Sequence, residues 1–172
     1  MRLSPAGSSP QTTHMLALDD LNSAGSHKLR NGRFSEENRI YLVTSVTFRR
    51  ERIFSHMKLG RILILAMHAE QSAGHVQSLA FVVMPDHFHW LLSLTGGQAL
   101  STCVGRVKSR ASRLINRASG RHGRMWQDGF HDHAVRKEED LADIARYVVA
   151  NPLRAGLVRK IGDYSLWDAI WI

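Results

Sequence analysis

Two periodicities of apolar residues alternate along the chain after residue 38. Runs dense in β-branched and aromatic residues indicate strands, whereas apolar residues that repeat every three or four positions indicate helices with one buried face. The pattern predicts elements in the order β-α-β-β-α-β-α, at residues 39–48, 55–71, 76–84, 87–94, 99–118, 130–136 and 138–149. This order predicts a single α+β domain, with Ser55 as the N-cap of the first helix.

The N-terminal segment lacks this patterning. Residues 1–38 are rich in Ser, Gly, Pro, Thr and Asn, and only the short cluster at 15–18 offers apolar surface to bury. Such a composition cannot offset the entropy lost on ordering. We therefore expect a mobile leader at 1–38, followed by one folded domain at 39–172 that is long enough for a sizeable core.

The predicted hairpin between residues 76 and 94 contains one polar interruption, His87-Phe88-His89. The preceding Met84-Pro85-Asp86 favours a tight turn, since proline is pre-set for the second turn position. Side chains alternate across a strand, so the two histidines share a face with their backbones about 6.5 Å apart. A lone histidine is more often an ordinary hydrogen-bonded residue, but a pair in an apolar run is costly to bury unless something binds it. We predict that His87 and His89 hold one divalent ion.

A second His-x-His pair, His131 and His133, lies in the last predicted strand and competes for the metal. Its intervening residue, Asp132, is charged and its surroundings are polar, so these histidines can sit in water at no cost. We rank this pair below the first as metal ligands. It could instead line a groove for DNA.

The chain is strongly basic, with a formal net charge of +8, which favours a polyanionic partner. We expect nucleic acid and no membrane, because no apolar run is long enough to span a bilayer. Basic residues concentrate in and just after the second predicted helix, with no acid before Asp128. The alternative, a solvated helix face, usually carries both signs of charge. The candidate phosphate contacts are Arg106, Lys108, Arg110, Arg113, Arg117, Arg121 and Arg124.

The cysteine content and the N-terminal sequence limit the possible cross-links, metal sites and cellular compartment of the protein. The single cysteine, Cys103, excludes an intramolecular disulfide and a zinc site built from several cysteines, and we expect it in a helix core. The N-terminus lacks the charged start, apolar run and small-residue cleavage site of a secretory signal. We therefore expect a cytoplasmic protein, associated with the nucleoid when DNA is bound.

The last predicted helix buries a face of small and branched apolar residues, with Tyr147 and Asn151 beside it. These two residues are one turn apart, so they can act on the same spot if the helix continues to Asn151. Pro152 disfavours helical geometry at that residue. Taken alone, Tyr147 is more simply a tyrosine packed at the core edge. Arg154 is either a helix-end cation or a phosphate contact.

Three segments together resemble the REP-associated tyrosine transposases, relatives of the single-tyrosine insertion-sequence transposases in the His-hydrophobic-His (HUH) endonuclease superfamily. They are Met-Pro-Asp-His-Phe-His-Trp-Leu (84–91), Met-Trp-Gln-Asp-Gly-Phe-His-Asp-His (125–133) and Ala-Arg-Tyr-Val-Val-Ala-Asn-Pro-Leu-Arg-Ala-Gly-Leu-Val (145–158). The resemblance covers about residues 39–167. It implies a ferredoxin-like fold with a four-stranded antiparallel sheet, and the predicted element order agrees with this.

The resemblance also implies a function and a role for each site residue. It implies cleavage and rejoining of single-stranded DNA that contains hairpins of repetitive palindromes, through a covalent phosphotyrosine. His87 and His89 then match the metal-binding pair, Tyr147 the nucleophile and Asn151 a further ligand. The mixed nitrogen and oxygen ligands would tolerate Mg²⁺ or Mn²⁺, whereas two imidazoles favour Mn²⁺ or a later transition metal. The resemblance implies Mg²⁺ or Mn²⁺.

Two other functions fit the same residues. A hairpin-binding regulator would keep the fold and the basic helix without cleaving DNA. A hydrolase would use metal-bound water and need His87 but not Tyr147. The sequence also leaves open whether the protein is a monomer or a homodimer.

Overall fold

The computed structural model describes residues 38–136 and 140–171. The predicted leader therefore lies outside the described residues, apart from Asn38. Single turns of 3-10 helix occupy Phe48–Arg50, Ile53–Ser55 and Ile161–Asp163. The regular elements are β1 (Ile40–Val46), α1 (Met57–Ser72), β2 (Val76–Met84), β3 (His87–Leu94), α2 (Leu100–Ser119), β4 (His131–Ala134), α3 (Leu141–Val149), α4 (Asn151–Arg154) and β5 (Trp167–Ala169).

The strands form one antiparallel sheet in the order β4-β1-β3-β2-β5. The predicted hairpin is confirmed: Met84 pairs with His87 across the Pro85-Asp86 turn. The predicted α+β class and element order are also confirmed. The sheet has five strands instead of the expected four, because Trp167–Ala169 pairs with β2 and covers what would otherwise be an open edge.

Alternating side chains of β3 divide the core into two layers. Phe88, Trp90 and Leu92 point into a cluster with α1 and α2, whereas Leu91 points into a second cluster with α3. Helix α3 packs on β2, β3 and β5. Because side chains alternate, His87 and His89 lie on the α3 side of the sheet.

Two helix details differ from the prediction. Ser55 lies in a 3-10 turn, and α1 begins at Met57 without a side-chain cap. The apolar pattern of the second helix predicts Leu114 on its buried face, but Leu114 is 46% exposed. Ile115 is buried instead, since it continues the helical spacing from Val107 and Ala111.

The last predicted helix ends at Val149 as expected, but its start differs. Residues 137–139 lie outside the described residues, and α3 begins after Asp140, whose carboxylate accepts hydrogen bonds from two backbone amides. The short α4 follows one residue after α3 ends, with Pro152 in its first turn, where a missing amide hydrogen is tolerated. Within the described ranges, no helix combines the length and apolar character required to cross a lipid bilayer.

Candidate active site

The two histidines of β3 lie next to each other on the face covered by α3. Their ring centroids are 4.9 Å apart and the ring planes are nearly perpendicular, at 84°. His89 is buried, and His87 lies closer to the surface beside the turn. The predicted shared face is therefore confirmed, and both rings are close enough to contact one small ion.

Each imidazole is held through its Nδ1 atom. His87 Nδ1 lies 2.6 Å from Asp86 Oδ1, and His89 Nδ1 lies 2.7 Å from Thr44 Oγ1. Burial acts to raise the pKa of Asp86, but hydrogen bonds and charges from His87 and Arg50 outweigh it and lower the pKa. Asp86 is therefore a carboxylate that accepts a hydrogen bond from His87 Nδ1, so Nε2 is the ring nitrogen left for another partner.

His89 has a buried atom with no partner. Its Nε2 makes no hydrogen bond to any described residue, and such an atom costs about 1–3 kcal/mol of stability. Burial lowers the pKa of His89 to about 3, helped by the charges of His87 and Arg154 and opposed by Asp86. The imidazole is neutral at physiological pH, which is the protonation state that binds metal.

The junction of α3 and α4 places the Asn151 side chain within hydrogen-bonding distance of backbone carbonyls at the end of α3. Pro152 has no N–H to donate to the Val148 carbonyl, and the Asn151 side-chain amide donates to it instead at 2.9 Å. The same amide lies 3.2 Å from the Tyr147 carbonyl oxygen. Asn151 therefore stabilises the end of α3, a structural role that the sequence analysis did not predict.

Arg154 connects Tyr147 to this junction. Its guanidinium lies 3.7 Å from the centroid of the Tyr147 ring, and its Nη2 donates to Asn151 Oδ1 at 3.2 Å. The charge of Arg154 also helps to lower the pKa of His89, so the guanidinium in α4 lies within electrostatic reach of the buried histidine. The structure thus brings Tyr147, Asn151 and Arg154 together at the end of α3, a helix that packs on the side of the sheet carrying the histidines.

The donor set at this place fits a divalent cation only in part. A cation could use the lone pairs of His87 and His89, and Asn151 Oδ1 keeps one lone pair after accepting from Arg154. Within residues 38–136 and 140–171, no group of three or more His, Cys, Asp and Glu side chains is arranged to hold a metal. Any site here would therefore need an amide, DNA or water to complete it.

The candidate phosphate contacts lie mainly on the other side of the sheet, in and after α2. Arg106 is held internally: its Nε lies 3.0 Å from Glu70 Oε2 and its Nη2 lies 3.1 Å from His75 Nδ1. Lys108 donates to the Gln127 and Gly129 carbonyl oxygens. These two residues therefore anchor α2 to α1 and to the segment before β4.

Two more of the basic residues have acidic partners at the end of α2 and beyond it. Arg121 pairs with Glu51, with Nη2 2.6 Å from Oε2, and Arg124 Nη2 lies 2.6 Å from Asp128 Oδ1. By contrast, Arg110, Arg113 and Arg117 are exposed along α2. Within the part of the chain that the structure describes, none of these last three has an ion-pair partner.

The second histidine pair lies on the same face as the first. Thr44 of β1 is directly opposite His89 on one side and His131 on the other, and directly opposed residues share a face. His133 takes the next position on that face, opposite Leu42. Both histidines are half-buried on an edge strand. Sequence patterning predicted the strand but could not place it beside β1.

Several known proteins are similar to this chain in sequence. The profile of the family described as "Transposase IS200 like" matches residues 35–151. A Haemophilus influenzae protein provisionally named REP-associated tyrosine transposase is 26% identical over 98 residues, covering 51% of this chain and 56% of that protein. An Escherichia coli K12 protein named REP-associated tyrosine transposase is 29% identical over 86 residues, covering 49% of each. The chain spans about half the length of these curated relatives.

Two solved structures share the fold. A REP-associated tyrosine transposase bound to a REP hairpin matches with a TM-score of 0.66 and 22% identity, over 80% of this chain and 81% of that one. A protein from Deinococcus radiodurans R1, provisionally assigned as a transposase, matches with a TM-score of 0.51 and 21% identity, over 70% of this chain and 95% of that one. The resemblance inferred from the three sequence segments is therefore confirmed.

Proposed function

The chain belongs to the IS200-like transposase family, and from this we propose that it cuts and rejoins single-stranded DNA beside hairpins of repetitive palindromes, with Tyr147 as nucleophile. The observation that carries the proposal is the neutral, buried and unpartnered Nε2 of His89, next to His87 and within electrostatic reach of Arg154, whose guanidinium lies over the Tyr147 ring. Proteins retain such an atom mainly where something binds it.

His87, His89 and Asn151 are the residues that would hold Mg²⁺ or Mn²⁺. When bound, a divalent cation would polarise a phosphate oxygen and help to position the DNA strand. The chain itself holds both imidazoles in fixed orientations, through Asp86 and Thr44. Arg154 keeps the Asn151 oxygen oriented by donating to it.

The other tyrosines of the chain support the choice of Tyr147 as nucleophile. The sequence contains three tyrosines. Tyr41 is buried, at 6% exposure, and Tyr164 donates its hydroxyl to the Val83 carbonyl at 2.7 Å. Burial raises the pKa of Tyr164 to about 12, although Arg52 opposes the shift. Neither side chain is suited to attack a DNA phosphate, whereas Tyr147 is half-buried on α3, the helix that packs on the histidine side of the sheet.

The chemical step is a transesterification. The Tyr147 oxygen bonds to the phosphorus as the bond to the neighbouring 3′ oxygen breaks; the phenol loses its proton and the freed 3′ oxygen gains one. The product is a tyrosine esterified to a 5′ phosphate, and attack by a 3′ hydroxyl reverses the step without ATP. The guanidinium over the Tyr147 ring places positive charge where the phenolate develops.

DNA would contact both sides of the sheet. Arg110, Arg113 and Arg117 offer exposed cations for the phosphates of a hairpin stem. The rest of the candidate set, including Arg106, Lys108, Arg121 and Arg124, would act less directly because these side chains also hold the fold together. His131 and His133 would line the path of the single strand towards His89, since α3 covers the β2 side of that face.

The test is covalent capture of DNA. Wild-type protein, incubated with Mn²⁺ and a single-stranded oligonucleotide carrying a REP-type hairpin, should give a denaturation-resistant protein–DNA adduct. Tyr147→Phe should give none. Tyr164→Phe, which removes a hydroxyl that bonds a backbone carbonyl, is the matched control and should retain the adduct.

A non-cleaving hairpin-binding protein is the second candidate. The structural role of Asn151 favours it, because the contacts of its side chain with Val148 and Arg154 explain its position without a metal. Hairpin binding without cleavage in Mg²⁺ or Mn²⁺ would support this function. Cleavage that survives Tyr147→Phe but not His87→Ala would instead indicate hydrolysis by water.

A further inference from the structure

The loop after β1 contains two consecutive strained residues. Arg49 and Arg50 have φ values of 55° and 54°, in the left-handed region that favours glycine. Residues other than glycine persist there only when surrounding contacts require it, and such residues concentrate at functional sites. The contacts made by this loop therefore indicate why the strained conformation is retained.

The loop is fastened to the hairpin turn that precedes His87. The Thr47 backbone amide and its hydroxyl both donate to the Asp86 carbonyl oxygen, each at 2.8 Å. The Phe54 amide donates to the Pro85 carbonyl oxygen at 2.9 Å. The turn and the loop thus form one hydrogen-bonded unit, which fixes the backbone of Asp86.

Arg50 acts on the side chain of the same residue. Its Nη1 lies 3.1 Å from Asp86 Oδ2, while Asp86 Oδ1 lies 2.6 Å from His87 Nδ1. Each carboxylate oxygen therefore has its own partner. With Oδ2 occupied by Arg50, the carboxylate stays rotated so that Oδ1 meets the imidazole.

We propose that Arg50 and Asp86 are positioning residues for His87, and that the strained backbone at Arg50 is retained because it places the guanidinium on Asp86. The inference rests on the proposed function, since the orientation of His87 matters because His87 is a ligand there. The pair holds the proton on Nδ1 and directs the lone pair of Nε2 away from Asp86. His89 has only the neutral Thr44 hydroxyl in the equivalent place.

Arg49 provides a matched control for Arg50. It has the same backbone conformation and charge, but its guanidinium lies over the Phe48 ring and not on Asp86. Glycine at either position relieves the strain, so neither variant should fail to fold. Only Arg50→Gly also releases the Asp86 carboxylate.

Calorimetric titration with Mn²⁺ alone, without DNA, tests the proposal. Arg50→Gly and Asp86→Asn should each weaken Mn²⁺ binding by about tenfold or more, the usual effect of losing a residue that orients a ligand. Arg49→Gly should keep the wild-type affinity. Wild-type affinity in Arg50→Gly would overturn the proposal.

A second measurement separates this proposal from the metal site itself. Nitrogen-15 NMR of the metal-free protein should show His87 as a single tautomer with the proton on Nδ1 in wild type and Arg49→Gly, and as a mixture in Arg50→Gly. If wild type does not bind Mn²⁺, the proposed metal site fails while this spectrum still decides the role of Arg50. A single tautomer in Arg50→Gly would refute that role.

Discussion

At the scale of the residue, His89 couples the site to the stability of the fold. Its pKa of about 3 is set mainly by burial, with contributions from His87 and Arg154 against Asp86. An unfolded histidine takes up a proton near pH 6.5. Since the unfolded chain binds the proton first as the pH falls, acid favours unfolding through this one residue.

This linkage predicts a pH-dependent stability. From about pH 6.5 down towards pH 3, His89 should lower the free energy of unfolding by about 1.4 kcal/mol per pH unit. Urea unfolding of the metal-free protein between pH 7 and pH 5 should show a shallower dependence in His89→Asn. His122→Asn, at an exposed position, is the control and should keep the wild-type dependence. Equal dependence in wild type and His89→Asn would contradict the burial argument.

Asn151 should prove structural whether or not it binds metal. In Asn151→Ala the Val148 carbonyl loses its donor, and Arg154 loses an acceptor. We expect a loss of about 1–2 kcal/mol in the free energy of unfolding, measured with chelator present. Asn116→Ala removes a longer, exposed hydrogen bond of 3.3 Å and should cost less. Unchanged stability in Asn151→Ala would contradict the structural role of this residue.

Sequence alone revealed some of these residues and not others, for a physical reason. The period of two in a strand was enough to place His87 and His89 on one face, and one helical turn related Tyr147 to Asn151. Thr44 and Arg50 could not be found this way, because they reach His89 and Asp86 only through strand pairing and loop closure. The donor role of Asn151 was deducible in principle, since Pro152 leaves a carbonyl unsatisfied.

At the scale of the element, α2 is explained by local sequence patterns alone. Its buried positions follow the helical period, and Gly120 ends it in the left-handed conformation, with φ at 65°. The strand β5 is the opposite case. Its three residues carry no alternation that a sequence pattern could detect, so only the free edge of β2 explains why it forms.

Two glycines, one within α2 and one at its C-terminal cap, should change the free energy of unfolding in opposite directions when replaced by alanine. Gly105 is exposed within the helix, with nothing within 4 Å of an added Cβ, so Gly105→Ala should raise the free energy of unfolding by about 1 kcal/mol. Gly120→Ala should lower it by about 1 kcal/mol, because alanine is strained at positive φ. Thermal or urea unfolding of the two variants compares them directly, and a shift of the same sign in both would refute this account of α2.

At the scale of the whole molecule, the sheet separates two kinds of surface. The exposed arginines of α2 lie on one side, and the histidines with Tyr147 lie on the other. DNA binding and the proposed cleavage should therefore be separable by mutation. Substitutions of the α2 arginines should change the affinity for DNA, and substitutions of the histidines or Tyr147 should change the yield of cleaved DNA.

Replacing Arg110, Arg113 and Arg117 by Gln should weaken hairpin binding and reduce the slope of log affinity against log salt by about one for each phosphate that the protein no longer neutralises. Adduct formation at saturating DNA should be nearly unchanged. Fluorescence anisotropy at several salt concentrations measures the first effect, and covalent capture measures the second.

A charge-matched control uses exposed cations elsewhere: Lys58, Arg61 and Arg159. Replacing these three by Gln should alter affinity less than replacing the α2 arginines. An equal loss from both triple variants would mean that net charge, and not α2, attracts the DNA.

The Pro85-Asp86 turn connects two inner strands of the sheet and is hydrogen-bonded to a loop whose backbone is strained at Arg49 and Arg50. Substitutions that relieve the strain in this loop would raise the thermal stability of the protein. Those that also remove the contact with Asp86 would release the orientation of the His87 imidazole. Selection for heat tolerance alone should therefore collect substitutions at positions 49 and 50, and only those at position 50 should weaken the proposed binding of manganese.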